Sequence, residues 1–325
     1  MRFRFSLIGL FLFGVIILPN LVFAVSPSSI SVDVVPPNPN PFEIVTVTLN
    51  SFAANLDTVR IEWLVDGKSL SSGIGKKSFS LTAKAANIET RVEARIYLPD
   101  GQIDKKVTIR PAVMVLLWQA NDSYVPPFYK GKALPSLGSE IKVVAIPEIR
   151  AGGTAINPRS MTYAWKKDYS NQPSDSGYGK NFFTYTNDYL EDRNIIGVTA
   201  STTDQIYQAE GNVGIGSFSP KIVFYKSDTE LGTIWEKAIA DIHRINEQEV
   251  LMAAPYFVSP RDVRHPSLFF NWFINGSLVN NSSYKKNVLP VKVEAGSSGT
   301  AQVRLEVENK DQIFKPSKKE IRVEF

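Results

Sequence analysis

Apolar and polar residues alternate along most of this chain in short runs, and Gly, Pro, Asn and Asp break the runs. A period of two puts every second side chain on one face, so each run predicts a half-buried β-strand. A longer period lies over the short one. A tryptophan stands inside an alternating run three times, as Ile61-Glu62-Trp63-Leu64-Val65-Asp66-Gly67, Tyr163-Ala164-Trp165-Lys166-Lys167-Asp168 and Phe270-Asn271-Trp272-Phe273-Ile274-Asn275-Gly276. These tryptophans are 102 and 107 residues apart, about the length of one two-sheet sandwich.

The repeat continues in register. Val92, Ala94 and Ile96 alternate on one face, as do Ile196, Val198 and Ala200, and then Val303, Leu305 and Val307. The first of each set follows its Trp by 29, 31 and 31 residues. A turn Asp comes next, in Asp100-Gly101, Asp204-Gln205 and Asp311-Gln312, where the carboxylate can bond its own backbone. Each unit is expected to close with a last strand at 107–109, 222–224 or 321–323, and to have an earlier strand at 45–49, 141–146 or 250–253. Ser72-Gly73-Ile74-Gly75-Lys76 returns 104 residues later as Ser176-Gly177-Tyr178-Gly179-Lys180, which predicts a shared turn. In the third unit only Ser282-Ser283-Tyr284-Lys285-Lys286 stands there, so the turn has drifted.

One stretch departs from the period of two. Leu231, Ile234, Trp235, Ala238, Ile242 and Ile245 recur at helical spacing, which predicts a short amphipathic helix capping the third unit. Pro36-Pro37-Asn38-Pro39-Asn40-Pro41 cannot pair fully as a strand and predicts an edge or turn segment.

Composition adds the compartment. Met1-Arg2-Phe3-Arg4 is a basic start, 5–18 an apolar stretch, and Val22-Phe23-Ala24 a small-residue cleavage signal, so 1–24 reads as a signal peptide. The expected product is an exported chain beginning at Val25; mass spectrometry of it tests this, and an intact Met1 chain held in the membrane would show the segment to be an anchor instead. With no Cys, an exported chain is held by cores and ladders alone. Loss of Arg2 and Arg4 leaves 34 basic against 32 acidic residues, too even a balance for a nucleic-acid-binding face.

The Trp63 to Gly67 and Trp272 to Gly276 segments share the pattern W-x-x-[DN]-G. With Gly299-Thr300-Ala301-Gln302-Val303-Arg304-Leu305-Glu306-Val307, they give the chain a resemblance to the immunoglobulin-like and PKD-like β-sandwich repeats of bacterial surface proteins. The second unit departs from the pattern, with Tyr169 where the Gly would stand. Tyr124-Val125-Pro126-Pro127-Phe128-Tyr129 also looks like segments of exported proteins from small-genome candidate-phylum bacteria. The resemblance implies adhesive, spacing or scaffold roles. The resulting expectation is an all-β chain of three tandem immunoglobulin-like β-sandwiches at 25–110, 111–224 and 225–325, with a short helix in the third.

Catalytic chemistry finds little support in the residues. Gly75-Lys76 and Gly179-Lys180 lack the flanking Gly and the Ser or Thr of a phosphate loop, having Leu70 and Ser174 before and Lys77 and Asn181 after. Gly211, Gly214 and Gly216 miss the dinucleotide spacing at Ser219. His243 and His265 have no metal-ligand spacing, so neither a metal nor another cofactor is expected and the chain is expected not to be an enzyme. Binding is better served by residues 124–129: two prolines hold the segment extended, and Tyr124, Phe128 and Tyr129 either form an aromatic platform for a sugar or peptide or plug the end of the second sandwich. Trp63, Trp165 and Trp272 are expected in the cores. The leading functional expectation is a non-catalytic structural or adhesive protein of the cell envelope whose partner is an envelope protein or glycan, with the membrane engaged only if the leader is retained. An accessory subunit of a pilus or secretion assembly and a carboxylate-based, carbohydrate-active hydrolase are the alternatives.

Overall fold

The computed structural model describes residues 27–188, 192–280, 285–311 and 316–325. The expected signal peptide and its cleavage site, the Ser282-Ser283-Tyr284 turn and Gln312 lie outside the described residues. The described residues divide into two compact units: those within Met1–Pro37, Val45–Leu81 and Thr90–Thr108 form one; those within Asn38–Ile44, Thr82–Glu89 and Ile109–Phe325 form the other. Among the described residues the regular structure is β apart from two short 3-10 turns, Pro27–Ser29 and Pro158–Ser160, and no helix is long and apolar enough to cross a membrane.

In the first unit a sheet of Ile30–Val35, Ile44–Ser51 and Ser78–Thr82 faces a sheet of Lys68–Ile74, Arg60–Val65, Thr90–Leu98 and Gly101–Ile109. Alternation selects the buried face: Val45, Val47 and Leu49 point inward from the first sheet, and Ile61, Trp63, Val92, Ala94 and Ile96 from the second. The proline run from Pro36 follows the edge strand Ile30–Val35 as irregular backbone.

The second unit holds two more sheet pairs, each with its own core. Val113–Ala120, Glu140–Glu148 and Phe182–Thr186 pack across from Thr162–Lys167, Arg193–Ser201 and Gln208–Gly216 around Trp165. Gly232–Ala238, Lys221–Asp228, Gln248–Tyr256 and Val288–Lys292 pack across from Leu268–Ile274, Thr300–Asn309, Ser317–Glu324 and Ile242–Arg244 around Trp272.

Two features of the repeat explain why these residues recur. The first is the docking of the indole. Trp63, Trp165 and Trp272 stack on Phe79, Phe183 and Phe224 of the facing sheet at 5.6, 5.7 and 5.5 Å. Their Nε1–H groups donate to the carbonyls of Lys76, Lys180 and Lys286 at 2.8, 2.9 and 3.1 Å. The recurring Gly-Lys is therefore a crossover whose lysine carbonyl meets the buried indole.

The second is the hairpin after each Trp strand. Asp66, Asp168 and Asn275 take φ of 49°, 47° and 49°, and the next residues Gly67, Tyr169 and Gly276 take 81°, 66° and 80°. Two successive left-handed residues make the tight turn whose twist suits a two-residue hairpin. The Oδ1 of each Asp or Asn then accepts the backbone N–H of Arg91, Ile195 or Gln302 on the neighbouring strand, at 3.0, 2.7 and 2.8 Å. Their own N–H groups donate back to the same three residues' carbonyls. Tyr169, 81% exposed, stands in a conformation that favours Gly. Tyr169→Gly should stabilise the protein by about 0.5–1 kcal/mol, the relieved backbone strain exceeding the extra entropy of the unfolded chain. The check is a higher denaturant midpoint at unchanged m-value; a lower midpoint would mean that the Tyr169 ring holds a stabilising contact.

Two expectations are corrected. No helix spans 231–245: the strand Gly232–Ala238 returns from Gly232, whose φ is 75°, and pairs with Lys221–Asp228. Its register shifts between Tyr225 and Ser227, opposite Ala238 and Thr233. That bulge disrupts the two-residue period and imitates helical spacing, while Thr233, Ile234 and Trp235 favour a strand. Residues 222–224 do not close the second sandwich either. Ile222 and Phe224 lie in the Trp272 core, and the strand Gln208–Gly216 pairs along the whole of Arg193–Ser201 as the last strand of the second.

Candidate ligand-binding junction in the second unit

Residues 124–129 leave the strand Val113–Ala120 and run to the third sheet pair. Tyr124 N–H donates to the Val258 carbonyl at 2.8 Å, and Phe257 N–H donates to the Tyr124 carbonyl at 2.7 Å. Beside this reciprocal bridge, Ser259 Oγ donates to Asp122 Oδ2 at 2.5 Å, and Asp122 Oδ1 accepts the Glu140 N–H at 3.0 Å. Burial raises the Asp122 carboxyl above its usual range, opposed by the bond from Ser259.

The prolines shape the rest. Pro127 and Phe128 are the central residues of a turn closed by Tyr129 N–H donating to the Pro126 carbonyl at 3.3 Å. Phe128 has φ 65°, the conformation that the third residue of a type II turn requires and that Gly usually supplies. It is also 87% exposed. The ring is thus held out to solvent on left-handed backbone, as the exposed rings of Phe42 and Tyr169 also are.

Tyr129, 36% exposed, packs one side of its ring. Its ring meets Tyr256 edge-on at 5.7 Å and Phe257 at 6.0 Å. A Cβ on Gly131 would come within 2.4 Å of the Tyr129 hydroxyl, so glycine leaves the ring its place. The Tyr256 and Tyr225 hydroxyls share a hydrogen bond of 2.8 Å, and Tyr225 packs on Trp235 at 5.0 Å. Burial, then the nearby Tyr225, pushes the Tyr124 hydroxyl up to about 12. Burial also raises Tyr256, helped by its bond to Tyr225.

Of the three residues singled out in the sequence, Tyr124 and Tyr129 thus help join the two sheet pairs and Phe128 projects from the turn between them. Tyr225, Trp235, Tyr256 and Phe257 complete the cluster from sequence positions too distant for spacing to reveal. Trp63, Trp165 and Trp272 are all buried, Trp165 and Trp272 in two separate cores.

The histidines are engaged locally. His243, in the strand Ile242–Arg244 instead of a helix, meets Glu249 Oε2 at 3.0 Å, and His265 Nδ1 meets Ser267 Oγ at 2.7 Å. Among the described residues no group of three or more His, Asp or Glu converges to hold a metal.

No family model matches the chain, and no curated protein matches it. Solved structures of modular proteins are similar to parts of it. Clostridium thermocellum CbhA fibronectin(III)-like modules are similar at 16% identity over 57% of this chain and 94% of theirs, with a TM-score of 0.28. The central fibronectin-III array of RIM-binding protein is similar at 9% identity over 90% and 95%, with a TM-score of 0.33. Immunoglobulin domains 1–4 of Sidekick-1 are similar at 11% identity over 89% and 71%, with a TM-score of 0.22.

Proposed function

We propose that this is a non-catalytic structural or adhesive protein, exported to the cell envelope, whose immunoglobulin-like sandwiches space and present a binding surface. The observation that carries the reading is the junction in the second unit. Main-chain bonds through Tyr124 and the Asp122–Ser259 bond join two sheet pairs, and the turn between them holds Phe128 in solvent at a backbone cost. A surface ring on a braced turn loses little entropy on contact with a partner. The partner is an envelope protein or glycan.

The chain from Val25 onward should therefore co-sediment with the envelope fraction of the cells that export it. Phe128→Ala should weaken that retention about tenfold, the scale of one lost anchor residue, without lowering the melting temperature. Equal retention of the variant would remove Phe128 from the surface, and no retention of the parent protein would overturn the reading.

A further inference from the structure

An open cleft of about 560 Å³ lies where the residues after the strand Gln208–Gly216 meet the end of Thr300–Asn309 and the start of Ser317–Glu324. Its size falls in the range of about 300–1,000 Å³ typical of small-ligand sites. It is separate from the Phe128 turn, although Val258 and Ser259 help to line it.

Three kinds of side chain face it. Phe218, 43% exposed, supplies a ring, with Leu137, Pro220 and Val307 as apolar neighbours. Ser217, Ser219 and Ser317 are hydroxyl-bearing lining residues, while Ser136 and Ser259 line it with hydroxyls already bonded to Ser139 and Asp122. Asp192 and Glu308 supply carboxylates, and among the described residues neither carboxylate has a hydrogen-bond or ion-pair partner. No Lys, Arg or His is among the described lining residues.

The wall is braced from behind. Phe218 N–H donates to the Pro135 carbonyl at 2.8 Å, and Ser217 N–H donates to the Asp192 carbonyl at 3.1 Å. Asn187, only 4% exposed, donates through Nδ2 to Ser217 Oγ at 2.7 Å, which leaves the Ser217 proton to donate elsewhere. The buried Asn187 Oδ1 has no partner among the described residues. On the other wall, Asn309 Nδ2 holds the Ser259 carbonyl at 2.8 Å.

We propose that this cleft binds a neutral saccharide, an inference that rests on the binding role proposed above and names a ligand class for a second surface. A pyranose has a C–H face and an edge of hydroxyls. The face stacks on Phe218, the sugar hydroxyls donate to Asp192 and Glu308, and Ser217 donates to a sugar oxygen. Rival chemistries fit less of the lining. Among the described lining residues an anion meets two carboxylates and no countercharge; a simple amine satisfies the carboxylates but leaves the ring and the serines without matching groups.

The test is calorimetry on the chain from Val25 onward with soluble gluco-, manno-, xylo- and chitin oligosaccharides, and with polygalacturonate and spermidine as charged probes. At least one neutral oligosaccharide should bind with a Kd of about 1 mM or tighter. Phe218→Ala and the isosteric Asp192→Asn should each weaken it about tenfold at unchanged melting temperature, whereas Phe128→Ala should not. The inference is overturned if no neutral oligosaccharide binds, if spermidine or polygalacturonate binds more tightly, or if Phe218→Ala and Asp192→Asn leave affinity unchanged. Envelope retention without sugar binding sinks the saccharide cleft alone. Sugar binding without envelope retention supports the cleft and overturns the envelope role, and shortened oligosaccharide products would overturn the non-catalytic reading.

Discussion

Trp165→Ala should destabilise its sandwich by about 3–5 kcal/mol, and Trp63→Ala and Trp272→Ala should do the same in theirs. Each indole is at most 1% exposed. Removing roughly 150–250 Å² of such surface from the core loses about 4–6 kcal/mol as an upper estimate. The substitution also breaks a stack with Phe79, Phe183 or Phe224 and leaves the carbonyl of Lys76, Lys180 or Lys286 without its indole donor. Trp→Phe separates the two contributions: it keeps a ring and loses the hydrogen bond, so it should cost about 1–3 kcal/mol. Urea unfolding of the six variants measures both. Unchanged midpoints for all three Trp→Ala proteins would show that the repeated tryptophan does not support its core.

Gly75→Ala should cost about 2–3 kcal/mol, and Gly179→Ala less, about 1–2 kcal/mol. Both glycines have left-handed backbone, at φ 70° and 72°. They differ in what a Cβ would meet. At Gly75 it would come within 2.9 Å of the Asp57 carbonyl oxygen, a backbone atom that cannot simply turn aside. At Gly179 the Arg159 carbonyl oxygen is 3.3 Å away, close enough to require only a small shift. Because Gly75 precedes Lys76, the strain also falls on the carbonyl that accepts the Trp63 indole. Near-ultraviolet circular dichroism should therefore change in the Gly75 variant along with its melting temperature. Equal effects of the two substitutions would mean that the αL backbone alone, and not the approach to Asp57, sets the cost.

Much of this architecture was legible because it is written in local periods. Alternation at Val92, Ala94 and Ile96 and its two counterparts identifies core-facing strands, since a pleated strand has only two faces. Asp66-Gly67 and Asn275-Gly276, noticed in the sequence only as part of a family resemblance, form tight hairpins because few residues adopt two successive left-handed conformations cheaply. The repeated Gly-Lys could be recognised as a turn from its recurrence. Its purpose was not readable, because the indole it meets lies on another strand.

The candidate surfaces were legible only in fragments. Residues 124–129 stood out through their prolines and aromatics, but which rings pack and which one projects depends on Tyr256 and Phe257, brought up by a different sheet pair. The bulge opposite Lys226 made strand residues look helical, a local irregularity that periodicity alone cannot distinguish from a helix. The cleft left no sequence signal at all, since Asp192, Phe218 and Glu308 are separated along the chain and each is ordinary in its own segment. By itself, then, the sequence determined the strands, the hairpins and the buried tryptophans, because alternation and turn chemistry act between near neighbours. Only the tertiary structure decided the sheet to which Ile222 and Phe224 belong, the exposure of Phe128 and the meeting of Phe218 with the carboxylates of Asp192 and Glu308, because those follow from packing between segments far apart in the chain.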